Sequence, residues 1–131
     1  MKIIGLGKAG CNIARVFSKF PQYEAYGIDA HKEADVTIKH RKTHEEYEKH
    51  FPSLKRKFKV SGEDVAVIVG GSGRISGGIL RLLEQLKTNR LSVFYIQPDL
   101  ALLSEVQRMQ EKIVKNVLQE YARSGMIECI Y

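Results

Sequence analysis

Two glycine-rich turns, each directly behind a short apolar run, limit what this chain can fold into more than any other feature. The first, Gly5-Leu6-Gly7-Lys8-Ala9-Gly10-Cys11-Asn12, follows Met1-Lys2-Ile3-Ile4; the second, Gly70-Gly71-Ser72-Gly73-Arg74-Ile75-Ser76-Gly77-Gly78, follows Val65-Ala66-Val67-Ile68-Val69. The run Val65 to Val69 has the composition of a central parallel strand covered on both faces. Glycine behind such a run allows positive φ and leaves room for a ligand to approach the backbone. Two such turns in one small domain suggest a paired phosphate-binding cradle, because amides at a helix N-terminus point outwards unpaired and the helix dipole adds partial positive charge.

The periodicity alternates along the chain. Lys2 to Leu6 reads as a buried strand, and Ala9 to Lys19 as a helix whose apolar positions Ile13, Val16, Phe17 and Phe20 recur at helical spacing before Pro21. Glu24 to Ile28 is a second strand closed by Asp29, and Val36 to Ile38 is a short third strand or an irregular loop. Thr43 to Phe51 is predicted helical, with Thr43 and Glu46 in capping-box spacing, followed by Pro52 and a turn through Ser61-Gly62. Behind the strand Val65 to Val69, Ser76 to Lys87 reads as a helix with Ile79, Leu82, Leu83 and Leu86 on one face. Leu91 to Ile96 is another buried strand, stopped by Pro98. Leu103 to Ser124 is a long amphipathic helix with Val106, Met109, Ile113, Val117, Leu118 and Tyr121 along a stripe that reads most simply as core and otherwise as a groove for a partner helix, ended by Gly125, and Met126 to Tyr131 is a last strand. Strands alternating with helices predict a three-layer, Rossmann-like parallel sheet with helices on both faces, whose ligands sit at the carboxyl ends of the strands.

At 131 residues with 44% hydrophobic content, the chain is expected to form one domain, residues 1–131, around a single core. Its apolar stretches fall short of the roughly 18 to 20 residues of a membrane span, and no secretory leader precedes Ile3, so a cytoplasmic protein with no membrane contact is expected. Cys11 and Cys129 have no metal-ligand spacing and read as reduced thiols. The net charge of +6 owes much to Lys39, Arg41, Lys42, Lys49, Lys55, Arg56, Lys57 and Lys59, interspersed with Glu45, Glu46 and Glu48. That stretch reads either as a solvated helix with pairs such as Glu45 with Lys49, or as a contact for nucleic acid or an acidic protein.

In the first turn Gly5, Gly7 and Gly10 satisfy G-x-G-x-x-G, and Asp29 stands 24 residues after Gly5 at the end of the second strand. This is close to the dinucleotide-binding fingerprint, in which an acidic residue holds a ribose hydroxyl, and it leaves an NAD(P)-binding domain open. Asp29 reads equally as a helix cap. A dinucleotide fold needs only the first turn, whereas the strand from Val65 ends in five glycines spread over nine residues.

Over nearly its whole length the chain resembles the N-terminal GTP-binding domain of the tubulin/FtsZ family. Gly7 to Ile13 is similar to the tubulin loop G-Q-A-G-C-Q-I, and Gly27-Ile28-Asp29-Ala30 to the FtsZ segment N-T-D-A. Gly70 to Gly78 stands where the family has G-G-G-T-G-S/T-G, and Ile96-Gln97-Pro98-Asp99-Leu100 with Glu105, Arg108 and Met109 resembles T-K-P-F with its downstream E-G-x-x-R-M. Met126 to Tyr131 falls where the family has the strand leading to its nucleotide-contacting asparagine. The resemblance implies GTP or GDP, with magnesium, as ligand and self-association or assembly as the mode of action. It puts Gly7, Lys8, Ala9 and Gly10 on the phosphates, and Cys11 and Asn12 towards ribose and base. Gly71, Ser72, Gly73, Arg74, Ile75, Ser76 and Gly77 then form the second cradle, with Pro98 and Asp99 near the ribose. Arg74 could add a charge to an anionic ligand.

The chain also departs from that family. Arg74 and Ile75 replace a glycine and a threonine of the second signature, and nothing between Ala30 and Val60 resembles the glycine-rich loop that senses the γ-phosphate. The stretch given has no counterpart of the long central helix or of the acidic loop that completes a neighbouring subunit's site, so GTP hydrolysis is expected only if such elements are supplied. A nucleotide-free structural or protein-interaction module on the same fold is the remaining alternative. No catalytic or metal constellation stands out: His31, His40, His44 and His50 are dispersed in a charged region and read as surface residues, and Ser72 and Ser76 have no base apparent nearby.

Overall fold

The structure is a computed structural model, and it describes residues 1–30, 34–54, 64–71, 73–86 and 90–131. The apolar runs form the centre of a sheet and the glycines set where strand gives way to helix. β1 (Lys2–Leu6) is buried along its length, and β4 (Asp64–Gly70) from Val65 to Val69. Beside them lie β2 (Glu24–Asp29) and β5 (Arg90–Ile96), with β3 (Val36–Thr37) and β6 (Ile127–Ile130) at the edges. The six strands run parallel in the order β3-β2-β1-β4-β5-β6.

This is a three-layer, Rossmann-like α/β fold. From β1 the chain moves outwards to β2 and β3, then crosses to β4 and moves outwards the other way. Right-handed crossovers therefore put the first helix on one face and the later helices on the other. α1 (Gly7–Phe17) packs on β1, β2 and β4. There Ile3, Ala14, Ala66 and Ile68 form a small core with Phe17, Tyr23, Ala25 and Ile96 around it. α2 (His44–Lys49), α3 (Ile79–Gln85) and α4 (Glu105–Arg123) cover the opposite face, where Ile4, Val67, Leu82, Leu83, Val93, Val114 and Leu118 belong to a much larger core.

Helix ends follow local chemistry. Thr43 Oγ1 accepts from Glu46 N at 3.2 Å at the start of α2, and Ser104 with Gln107 forms a reciprocal capping box on α4. Gly125, at φ +81°, closes α4: its N–H reaches Ala122 O and that of Met126 reaches Tyr121 O, a Schellman end. The helix predicted from Ser76 to Lys87 is shorter and begins differently. Arg74–Gly78 winds as a tight 3₁₀ turn ahead of α3 because α2 lies on it: a Cβ on Gly77 would strike His44 O, and one on Gly78 the Phe51 ring. A second 3₁₀ turn, Leu100–Leu102, precedes α4. Lys87 and the Ser61-Gly62 turn lie outside the described residues.

Two predicted core stripes are corrected. In α1 the buried positions are Gly7, Gly10 and Ala14, whereas Ile13, Val16 and Phe20 face solvent. In α4 the buried line runs through Gln110, Glu111, Val114 and Leu118; Val106, Met109 and Ile113 are exposed, and Val117 and Tyr121 half-buried. In α1 small residues sit nearest the sheet, and in α4 the polar Gln110 and Glu111 are buried along with Val114 and Leu118; hydropathy spacing alone ranks such small or polar residues as surface.

Gly10 shows why α1 approaches so closely. A Cβ there would lie 2.5 Å from Ile68 O, and one on Gly5 would lie 2.1 Å from Gly10 O. Gly10→Val is therefore expected to destabilise the fold by about 1–3 kcal/mol, the range for overpacking a tight core. A lower urea midpoint with an unchanged denaturant slope is the measurement that checks it.

Candidate functional site

The strand order reverses between β1 and β4, and in open α/β sheets the crevice outside the carboxyl ends of the strands at such a reversal is where ligands bind. Leu6 pairs with Ile28 on one side and Val69 on the other, so Asp29, Gly7 and Gly70, each one residue further on, stand level at that edge. Both glycine turns open there. The first residue of α1, Gly7, has φ +80°, a conformation that disfavours any side chain. Leu6 gives α1 no side-chain cap and its first turn holds no acidic residue, so the outward amides and the positive end of the dipole are unopposed. Lys8 and Ala9 are exposed beside them, and Gly70 and Gly73 border open space.

One side chain intrudes. Ile75 Cγ2 lies 2.8 Å from where a Gly7 Cβ would project, so Ile75 covers the entry to α1 while packing against the larger core. Arg74, next to it, is exposed at the rim.

Several residues expected in the cradle work elsewhere. Gly10 faces β4 rather than the crevice. Cys11 is wedged between α1 and β2, with Sγ 3.5 Å from Ile28 O and 2.8 Å from a Cβ built on Gly27. Burial, reinforced by Asp29 and Asp35, pushes its thiol up to about 11, so it stays protonated instead of meeting a ribose or base. It lines a small cavity of about 110 Å³ with Arg15, Ser18 and Asp35. Asn12 is exposed on the outer side of α1. Asp29 Oδ1 accepts from Ala30 N at 2.8 Å, capping its own turn. Asp99 Oδ1 likewise accepts from Ala101 N, beyond the half-buried Pro98. Ser72 lies outside the described residues.

The second turn is held by polar contacts on two sides. Ser76 is buried and its hydroxyl donates to Gly73 O, so His44 Nε2, 3.2 Å from Ser76 Oγ, carries the proton of the neutral ring. His44 is thus a clamp on the turn and not the surface residue its charged neighbourhood suggests. Burial lowers its pKa, with Glu48 opposing. On the other side Tyr95 Oη donates to Glu111 Oε1 at 2.7 Å, and Lys115 Nζ reaches the same oxygen at 3.1 Å. Burial first, and then Glu111, raises the Tyr95 phenol well above its usual range. A Cβ on Gly71 would collide with Tyr95 Oη, so Gly71 is a packing glycine. Sequence reasoning missed Tyr95 and Glu111. The signals were Tyr95 alternating with Leu91 and Val93, and Glu111 spaced with Val114 and Leu118.

Of the basic stretch, Lys39, Lys42 and Lys49 are exposed, and Glu48 pairs with Arg81 at 3.6 Å. Lys55, Arg56, Lys57, Lys59 and His31 lie outside the described residues. Among the described residues no helix is long and apolar enough to cross a membrane, and no group of three or more His, Cys, Asp and Glu could hold a metal ion. In comparisons with known proteins, no family model, no curated protein and no solved structure matches this chain.

His44 ties stability to pH. Its folded pKa is depressed, so the stability it contributes is fully present above the unfolded histidine value of about 6.5 and is lost as pH falls below that. Urea midpoints measured from neutral to mildly acidic pH should fall more steeply for wild type than for His44→Gln.

Proposed function

We propose that this chain is a divergent nucleotide-binding module of the tubulin/FtsZ kind, taking the phosphates of GTP or GDP in the crevice between the two glycine turns and acting through self-association in the cytoplasm. One observation carries the reading: the uncapped N-terminus of α1, entered through Gly7 at positive φ, opens at the reversal of the strand order. Unpaired amides, a helix dipole and the adjacent Lys8 favour a phosphate there without need of any catalytic side chain. The first turn is the cradle; the second, clamped by His44 and Tyr95, is a wall carrying Arg74 at its rim. Ile75, which stands over Gly7, limits affinity. Among the described residues no side chain in the crevice is arranged to activate water, and binding rather than hydrolysis is the activity proposed.

A second reading, an NAD(P)-type dinucleotide, is favoured by Asp29 standing level with Gly7 and by Gly10 in the helix-packing role of the third fingerprint glycine.

Titration with GTP, GDP and NADH, followed by calorimetry and thermal shift, distinguishes these readings. A nucleotide at 100 times its dissociation constant should add about 2.7 kcal/mol of stability. Ile75→Gly should tighten binding by roughly tenfold, about 1.4 kcal/mol, while Gly7→Val should abolish it. Stabilisation by NADH alone selects the dinucleotide reading. Silence of both wild type and Ile75→Gly towards every nucleotide overturns both.

A further inference from the structure

A parallel sheet needs cover on both faces, because its strands are apolar on both sides. Among the described residues the larger core is covered by three helices, whereas the opposite face carries α1, lying on β1, β2 and β4. On that face β5 presents Phe94, exposed and stacked on Tyr131 at 4.8 Å between ring centroids, beyond the half-buried Ile96. α1 borders the bare area with a matching flank. Cys11 and Ser18 turn to β2 and Gly10 to β4, so Ile13, Val16 and Phe20, at helical spacing on the far side, lean towards β5. The result is an apolar ridge beside an apolar shelf.

We infer that two copies of this chain pair through this face, the ridge of each α1 seated on the β5 shelf of the other about a two-fold axis. The inference deepens, and rests on, the self-association part of the proposed function; it is independent of the phosphate crevice, which lies at the carboxyl edge of the sheet.

Area and charge both select a second copy. Ile13 is 38% exposed, Val16 55%, Phe20 49%, Phe94 40% and Tyr131 65%. At ordinary side-chain areas of roughly 150 to 250 Å² these amount to about 500 Å² per copy, near the upper end of what monomers leave open. Two such faces bury about 1,000 Å² before any rim is counted, the size at which a specific interface begins. A two-fold contact sets the patch on one copy against the same patch on the other, so in a chain of net charge +6 a patch free of like charges pairs at the least electrostatic cost. None of Ile13, Val16, Phe20, Phe94 and Ile96 is ionisable. Arg15, on the β2 side of α1, and Lys19 are exposed beside the ridge, whereas a second exposed apolar line, Val106, Met109 and Ile113 on α4, is interspersed with Glu105, Arg108 and Lys112, which a self-contact would have to accommodate.

Sedimentation equilibrium of the nucleotide-free protein over a wide concentration range is the test. Wild type should give the dimer mass at its upper end. Val16→Glu, on the exposed side of α1, and Phe20→Glu, exposed in the turn that follows it, both checked for folding by circular dichroism and urea midpoint, should weaken dimerisation at least a hundredfold. Met109→Glu should leave it unchanged. A wild-type monomer throughout, open-ended growth in mass, a dimer insensitive to both α1 variants, or one dissolved by Met109→Glu overturns the inference. Thermal shift with GTP on the same proteins keeps the two claims apart. A dimer that ignores GTP, GDP and NADH, in wild type and in Ile75→Gly alike, leaves the pairing standing and sinks the phosphate reading, and a GTP-responsive monomer does the reverse.

Discussion

Everything in this molecule depends on how closely α1 lies against the sheet. With no side chain on Gly5 or Gly10, the helix backbone meets the carbonyl of Ile68 at a distance that a single methyl would prohibit. That approach buries Ala14 on Ala66 and Ile68, lets Cys11 settle under the helix against β2, and draws the amide end of α1 down to the level where β1 and β4 stop. A larger residue at Gly10 would lift the helix and open the small core beneath it. The crevice at the carboxyl edge of the sheet and the packing of the fold are two consequences of one contact, which is why its glycines serve structure first.

The second glycine turn is built differently. It is tied on one side by His44 through Ser76 and on the other by Tyr95 through Glu111, with α2 pressed on Gly77 and Gly78. These are buried, hydrogen-bonded polar groups, costly to break singly because each partner would be left unsatisfied. A turn held this firmly makes a good wall and a poor adaptive cradle, and the side chain it delivers to the shared crevice is Ile75.

Fold and site were unequally legible. Five strands could be read from the runs around Ile3, Val67 and Val93 and from the weaker ones at Ala25 and Ile127, because enclosed parallel strands are apolar throughout; at Val36 the sequence left strand and loop open, and pairing with β2 made it a strand. Thr43 and Gly125 marked helix ends because their chemistry is local. The inward faces of α1 and α4 could not be read that way. Gly10, Ala14, Gln110 and Glu111 lie against the sheet or the second turn, and hydropathy takes such residues for surface. The site was legible as two glycine turns and no further: that Cys11 turns to β2, that Asp99 caps its own turn and that His44 reaches Ser76 depend on where separate elements meet.

The sequence by itself determined the alternation of strand and helix, the parallel sheet that follows from it, and the presence of two glycine-rich turns at the ends of apolar strands, since each is set by residues within a few positions of one another. Only the tertiary structure decided which glycines serve packing, which side chain covers Gly7, and which half of a sheet face is left bare. Those outcomes follow from contacts between residues tens of positions apart, such as Gly7 with Ile75, Gly71 with Tyr95, and Phe94 with Tyr131. Their geometry exists only once helices have docked on the sheet, and local spacing carries no record of it.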